Sequence, residues 1–170
     1  LGLLRFISTH NNHFSKEKIA LYERLAGNLV SGLIQRRASD ALKKSEERFR
    51  QIFNNMSSGL AILEAVEDGA DFIFKDINPS GAAIGSRPRK KHIGRSVQTL
   101  YPGIQEIGLF TALKHSWKTA ESVNFPMTQY KDDRIRSWME TYIRTVPTDE
   151  ILAVFNDLTE QKKIPEALQV

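Results

Sequence analysis

The sequence predicts an α+β fold with a long helix near its N-terminus. Apolar and polar residues alternate along the stretch 134–146, as expected of a half-buried strand. Apolar residues recur at helical spacing across 22–53, with neither Gly nor Pro between Gly32 and Ser58. A short apolar run at 151–155 is followed by Asp157 and polar helix-formers. This last pattern indicates that the final strand leads into an exit helix.

The exit helix is predicted to begin at a polar junction. Asp157 and Glu160 have the spacing of a capping box in variant form, and Thr159 can also cap, so a side-chain oxygen accepts from the first free N–H groups. We expect Asp157 also to meet a strand arginine, either Arg136 or Arg144, which would tie sheet to helix. The alternative is an ordinary helix cap.

Residues 45–163 resemble a PAS sensor domain. The segments that carry the resemblance, in order, are an entry helix, two strands, an asparagine that opens the helical side and a turn before the long helix: Ser45–Phe53, Ser58–Leu63, Phe72–Pro79 with Asn78, and His92–Ser96. The resemblance implies a five-stranded antiparallel sheet with helices on one face. It also implies a sensory and scaffolding module of the kind found in sensor histidine kinases.

Residues 1–44 lie outside the part that resembles a PAS domain. Leu3–Ile7 is a candidate strand, and Ser15 is a candidate N-cap with Phe14 and Ile19 placed as a hydrophobic staple. This piece resembles the last strand and helix of a GAF domain. We therefore divide the chain into a GAF-like remnant with a helical linker at 1–44, a PAS domain at 45–157 and the start of a C-terminal signalling helix at 158–170.

The long helix carries an apolar stripe that predicts chain pairing. Small residues at Ala38 and Ser45 weaken the seam, which favours a coiled coil able to change register. A parallel homodimer is the favoured interpretation, and a helix folded back on its own PAS domain is the alternative. The predicted dimer seam consists of Tyr22, Leu25, Leu29, Leu33, Leu42 and Phe49.

The alternation in 134–146 assigns the two faces of one strand. Odd positions are predicted to face an inner cavity, whereas Trp138 and Tyr142 on the even face are predicted to pack beneath the entry helix or a partner chain. Pro126 places the preceding strand, Val123–Tyr130, at a sheet edge. The candidate ligand-binding residues of the cavity are Leu109, Leu113, Met139, Thr141 and Ile143.

The composition excludes several classes of chemistry. The 170 residues contain no cysteine, which excludes disulfides, thiol nucleophiles and the cysteinyl-flavin adduct of light-sensing PAS relatives. No apolar run approaches the ~20 residues of a membrane span, and no signal-peptide pattern is present. The sequence therefore predicts a cytoplasmic chain without membrane contact. A net charge of +4 is too modest to indicate a nucleic-acid partner.

The histidines and the basic run are predicted to lie at the surface. His115 falls about 200° from Leu113 around the long helix, which places it toward solvent and argues against the haem ligation seen in some PAS relatives. His92 is predicted to be exposed because cations flank it. The basic run Arg87–Arg95 has no interleaved aromatic residue, so a solvated segment is favoured over a phosphate or nucleic-acid contact.

These features together predict a non-catalytic sensory, relay and dimerisation module. No kinase nucleotide motif and no catalytic constellation is present in the sequence. The resemblance implies a larger protein of a two-component phosphorelay, with a kinase domain downstream. Signal transfer is assigned to Asp157, Thr159, Arg136 and Arg144. The alternative function is a small-molecule sensor with a ligand in the cavity; no cofactor is required by the sequence.

Overall fold

The computed structural model describes residues 15–163 together with Arg5 and Ile7. The predicted strand Leu3–Ile7, the staple residue Phe14 and the segment after 163 lie outside the described residues, apart from Arg5 and Ile7 themselves. The chain divides into two compact units, one ending at Arg50 and the other beginning at Gln51. In the described part of the chain, no helix is long and apolar enough to cross a membrane.

One continuous helix, α1, runs from Lys16 to Asn55 and includes the boundary between the two units. Ser15 caps it, since its hydroxyl accepts from the Lys18 backbone N–H at 3.3 Å. Good helix-formers and the absence of proline explain its length. Within the second unit, Phe53 is the buried residue of α1 and anchors the end of the helix to the core.

The second unit is a five-stranded antiparallel sheet. Its strands, in chain order, are β1 (Gly59–Val66), β2 (Asp71–Ile77), β3 (Val123–Lys131), β4 (Arg136–Thr145) and β5 (Glu150–Asp157). The spatial order is β2-β1-β5-β4-β3, so β3 is an edge strand as its proline predicted. The register between β3 and β4 shifts between Phe125 and Thr128, and Pro126 lies within this irregularity.

The helical side is formed by short elements between β2 and β3. These are α2 (Pro79–Ile84), α3 (Val97–Leu100) and α4 (Leu109–Thr119), with short 3₁₀ turns at Arg89–Lys91 and Pro102–Ile104. A further 3₁₀ turn, Glu67–Gly69, joins β1 to β2. A last helix, α5 (Thr159–Lys163), follows β5 directly.

Asn78 opens the helical side, as predicted. Its side-chain oxygen accepts from the backbone N–H groups of Gly81 at 2.8 Å and Leu60 at 2.9 Å, while its amide donates to the Ser58 carbonyl at 2.9 Å. One fully buried side chain therefore caps α2 and holds it against the start of β1.

The predicted alternation along β4 is confirmed. Ser137, Thr141 and Ile143 are buried, whereas Arg136 and Arg144 are exposed. The inner face packs against α4 and the core, and the outer face carries the charges. The period of two that the strand requires is thus respected along its whole length.

Candidate functional site

A cavity of about 90 Å³ lies between the inner face of the sheet and the helical side. Helices α2, α3 and α4 supply one wall, and all five strands contribute to the other. The side chains that line it are overwhelmingly apolar, and none of the lining residues carries a charge. Besides the predicted residues discussed next, they include Leu63, Phe74, Val97, Tyr101, Tyr130 and Phe155.

Four of the five predicted cavity residues line the cavity. Leu109 and Leu113 reach it from α4, and Met139 and Thr141 reach it from β4. Ile143 does not line it, and that part of the prediction is wrong. Although its side chain is on the inner face and fully buried, it lies opposite Val123 near the end of β4, where it contributes to the solid core.

The surface position predicted for His92 is also wrong. Its relative exposure is 0%, and its ring makes an edge contact with Phe74 and stacks on Tyr101. The Nδ1 atom lies 3.3 Å from the Pro88 carbonyl oxygen, and Nε2 lies 2.5 Å from the Tyr101 hydroxyl. Because a carbonyl can only accept, Nδ1 donates, and the neutral ring accepts from Tyr101 through Nε2.

The His92–Tyr101 pair forms part of the cavity wall. Tyr101 lines the cavity, and its hydroxyl also lies 3.3 Å from the Gly85 carbonyl oxygen as a second acceptor. Burial lowers the pKa of His92 below its ordinary value; the Pro88 carbonyl opposes this shift, and the charge of Arg87 adds to it. His92 is therefore held neutral, and its ring fixes the direction of a cavity side chain.

The basic run is not uniformly solvated. Arg89 forms an ion pair with Asp76, whose side chain is largely buried, through Nε at 2.7 Å from Oδ1. The Asp76 carboxylate also accepts from the Ile77 backbone N–H at 2.8 Å. This cation therefore fastens the 3₁₀ turn to β2, whereas Lys90 and Lys91 are exposed as predicted.

Asp157 caps the exit helix, as predicted. Its Oδ1 accepts from the Thr159 backbone N–H at 2.9 Å and from the Thr159 hydroxyl at 2.5 Å. The Thr159 hydroxyl oxygen in turn accepts from the Trp138 backbone N–H at 2.9 Å, and the Leu158 N–H donates to the Trp138 carbonyl at 2.7 Å. Both backbone polar groups of Trp138 are thus occupied by the junction between β5 and α5.

The predicted ion pair between Asp157 and a strand arginine is not formed among the described residues. In the antiparallel register, Asp157 lies opposite Met139, and residues paired in this way point to the same side of a sheet. Met139 belongs to the inner face, whereas Arg136 and Arg144 belong to the outer face. The Asp157 carboxylate and the guanidinium groups of Arg136 and Arg144 therefore lie on opposite faces of the sheet. The connection from sheet to helix runs through Thr159 instead.

Met139 joins the cavity to this junction. Its side chain lines the cavity, its register partner is the helix cap Asp157, and its neighbour Trp138 is bonded to Thr159. On the outer face, the Lys162 ammonium group of α5 lies 4.7 Å from the centroid of the Trp138 ring. The described ring contact of Trp138 is therefore with the exit helix. Tyr142 remains 38% exposed.

The six predicted seam residues of α1 lie on two faces. At ~100° per residue, Tyr22, Leu25, Leu29 and Leu33 share one side, which we call the N-terminal face. Leu42 and Phe49 lie roughly 150° away on a C-terminal face, and still about 100° away at coiled-coil periodicity. Leu29 is 55% exposed and Leu42 is 62% exposed in the single chain. One straight seam therefore cannot include all six.

His115 is exposed on α4, as predicted. Its Nε2 lies 3.4 Å from a carboxylate oxygen of Glu121, on the outer side of the helix. Leu113 and Ser116 occupy the buried side. His115 is consequently not a cavity residue.

Solved structures with similar architecture come from signalling proteins. A domain of a sensory box sensor histidine kinase/response regulator from Geobacter sulfurreducens has a TM-score of 0.54 and 16% identity, covering 68% of this chain and 96% of that chain. The PAS domain of an HTR-like protein from Haloarcula marismortui has a TM-score of 0.51 and 20% identity, covering 72% and 98%. A LOV protein from Rhodobacter sphaeroides has a TM-score of 0.57 and 13% identity, covering 74% and 73%.

No protein-family model matches the sequence, and no curated protein matches it. The assignment therefore rests on architecture: the strand order, the helices on one face of the sheet and the cavity between them. At identities of 20% or less, these likenesses establish the fold. The chain has the PAS fold, with a long helix before it.

Proposed function

We propose that this chain is a non-catalytic sensory and relay module of a sensor histidine kinase. Changes in its cavity would be passed through β4 to the exit helix, and from there to a downstream kinase domain of a two-component phosphorelay. Residues 1–44 would form the end of a preceding GAF-like domain. The signalling context is supported by a structural neighbour that is a domain of a sensory box sensor histidine kinase/response regulator.

The observation that carries the proposal is that Met139 and Trp138 are neighbours on β4. Met139 lines the cavity, and the backbone N–H and carbonyl of Trp138 are both hydrogen-bonded to the junction of β5 and α5. A ligand or packing change at Met139 would be passed to the backbone of β4, to which Thr159 is hydrogen-bonded through Trp138. Since Asp157 and Thr159 also begin α5, that change would reach the first turn of the exit helix.

Dimerisation is proposed to use the N-terminal face of α1. Its four large side chains are apolar, Leu25, Leu29 and Leu33 are exposed, and a second copy of the same helix presents a self-complementary face. The C-terminal face begins beyond Arg36 and Arg37, so the two faces are separated by charge.

Thr159→Val in the full-length protein tests the relay. Valine keeps the shape of the side chain but removes the oxygen that accepts from Trp138, and the loss of a cap contact costs about 1 kcal/mol. We expect basal autophosphorylation or the stimulus response to change while the protein stays folded. Ile143→Val is the control matched for stability, because it removes one buried methyl group at a similar cost of about 1 kcal/mol without touching the junction. Equal effects of the two substitutions on output would reject the relay.

A small-molecule sensor is the second candidate function. The cavity of about 90 Å³ favours it, since an apolar cavity between sheet and helices is a ready binding site. In that case the ligand supplies the change that β4 transmits. The two candidates share one route and differ in what occupies the cavity.

A further inference from the structure

Thr141 is the unusual residue of the cavity wall. Its relative exposure is 4%, it lines the cavity, and its hydroxyl makes no hydrogen bond to any of the residues that the structure describes. Three lining side chains carry a hydroxyl, and the other two are bonded: Tyr101 to His92, and Tyr130 to Asp132 at 2.9 Å. Among the described residues, the buried side-chain atoms without a partner are Arg87 Nε and Ser137 Oγ. The Thr141 oxygen is instead accessible from the cavity, so a ligand or a water there can satisfy it.

The rest of the wall fixes the charge of a suitable ligand. None of the lining residues is an Asp, Glu, Lys, Arg or His. An ion entering this space would lose its hydration without gaining a counter-charge, which is strongly unfavourable. The ligand is therefore neutral and mostly apolar, with one group that bonds the Thr141 hydroxyl.

The volume fixes the size. An engineered apolar cavity of about 150 Å³ accommodates benzene, a ring of six carbon atoms. In proportion, the 90 Å³ of this cavity accommodates roughly four non-hydrogen atoms. A flavin or a haem is several times larger than this space.

We infer that the cavity binds a small neutral aliphatic molecule with a single oxygen, of the size of a three-carbon alcohol or ketone. Its oxygen bonds the Thr141 hydroxyl, and its carbon chain lies among Leu109, Leu113 and Met139. A threonine hydroxyl both donates and accepts, so it serves an alcohol and a ketone alike. This inference rests on the proposed function in its ligand-sensing form, and it names the class of ligand.

The test uses 1-propanol as the probe and the methyl carbon of Met139 as the reporter. With methionine methyl groups labelled with ¹³C, NMR follows Met139 in the cavity, while Met127, which is exposed on β3, serves as an internal reference. We expect 1-propanol to shift the Met139 signal in a saturable manner and to leave Met127 unchanged. Thr141→Val is expected to weaken binding about tenfold, as the loss of one buried hydrogen bond implies.

Xenon shows whether Thr141→Val weakens propanol binding by removing a hydrogen bond or by changing the volume of the cavity. It enters apolar cavities without hydrogen bonding, so it is expected to shift Met139 equally in the wild type and in Thr141→Val. Thr148→Val, at an exposed turn position, is expected to bind propanol like the wild type. Equal propanol affinity in wild type and Thr141→Val would overturn the inference, as would a response to xenon alone or to neither probe. The relay through Thr159 is read without any ligand and is not affected by such a failure.

Discussion

At the residue scale, a neutral histidine is buried beside the cavity. The two ring nitrogens of His92 are satisfied by the Pro88 carbonyl, four residues earlier, and by the Tyr101 hydroxyl, nine residues later. Protonation would require Nε2 to donate and would turn the Tyr101 hydroxyl toward its other acceptor, the Gly85 carbonyl. The charge state of His92 thus bears on the shape of the cavity wall.

This arrangement predicts a stability that falls with acidification. Because burial lowers the folded-state pKa of His92 below its usual 6.5, the unfolded chain binds the proton more readily. The contribution of the neutral ring is complete above pH 6.5 and is lost as the pH falls below that value toward the folded-state pKa. Thermal melts of the wild type between pH 7.5 and 5 are expected to decline more steeply than those of His92→Gln.

His115→Gln provides the control for the pH dependence. That side chain is 54% exposed on the outer side of α4, so the substitution removes a histidine without disturbing the core. Because the comparison uses the slope of melting temperature against pH, a loss of stability in His92→Gln that is the same at every pH does not affect it. Parallel curves for the wild type and His92→Gln would contradict the burial argument.

Sequence reasoning succeeded with residues whose role depends on local pattern. Asp157 was identifiable as a cap because capping depends on residues within three or four positions. The place of Asn78 at the start of the helical side followed from the resemblance, and its capping role became visible only in the structure. The burial of His92 was not predictable in this way, because its neighbours are cations and its partner Tyr101 belongs to another element. That the Thr141 hydroxyl faces the cavity without a protein partner became evident only when the partners of the whole wall were known.

At the element scale, β4 connects the cavity to the exit helix. Its alternation was predicted correctly because a strand with one buried face has a period of two whatever its neighbours are. The partner of Asp157 was predicted incorrectly because it depends on the register with β5, which alternation within one strand does not define. The same register that excludes Arg136 and Arg144 places Met139 opposite the helix cap.

The two faces of β4 predict opposite responses to a new charge. Ile143→Asp places a carboxylate at a fully buried position without a partner and is expected to unfold the domain. Arg144→Asp changes an exposed neighbour and is expected to alter the free energy of unfolding by about 0.5 kcal/mol or less. Circular dichroism melts of the two variants compare them directly. A folded Ile143→Asp together with an unfolded Arg144→Asp would show that the faces are exchanged.

At the scale of the whole molecule, the long helix has two apolar faces that point in different directions. Spacings of three and four suggest one seam when residues are counted locally, and they hold within 22–33 and again within 38–49. Leu33 and Ala38, however, are five residues apart, and in the continuous helix this step turns the stripe to another side. It separates the N-terminal face of Tyr22, Leu25, Leu29 and Leu33 from the C-terminal face of Leu42 and Phe49.

Dimerisation through the N-terminal face predicts a difference between two leucines. Leu29→Glu would place a charge in the apolar seam and is expected to weaken the dimer by a few kcal/mol. Leu42→Glu introduces the same charge at a comparably exposed position on the other face and is expected to leave the dimer intact. Light scattering over a concentration series measures both. A monomeric wild type, or a dimer that is lost only in Leu42→Glu, would refute this choice of face.

The central claim is that the cavity and the exit helix are coupled through β4, and hydrogen exchange of the Trp138 and α5 amides tests it most directly. Met139→Ala changes the cavity wall opposite Asp157, whereas Ile143→Ala changes the same strand and face at a buried position outside the cavity. After correction for global stability, Met139→Ala is expected to accelerate exchange at Trp138 and in α5, and Ile143→Ala is not. Equal protection of these amides in both variants would contradict the coupling.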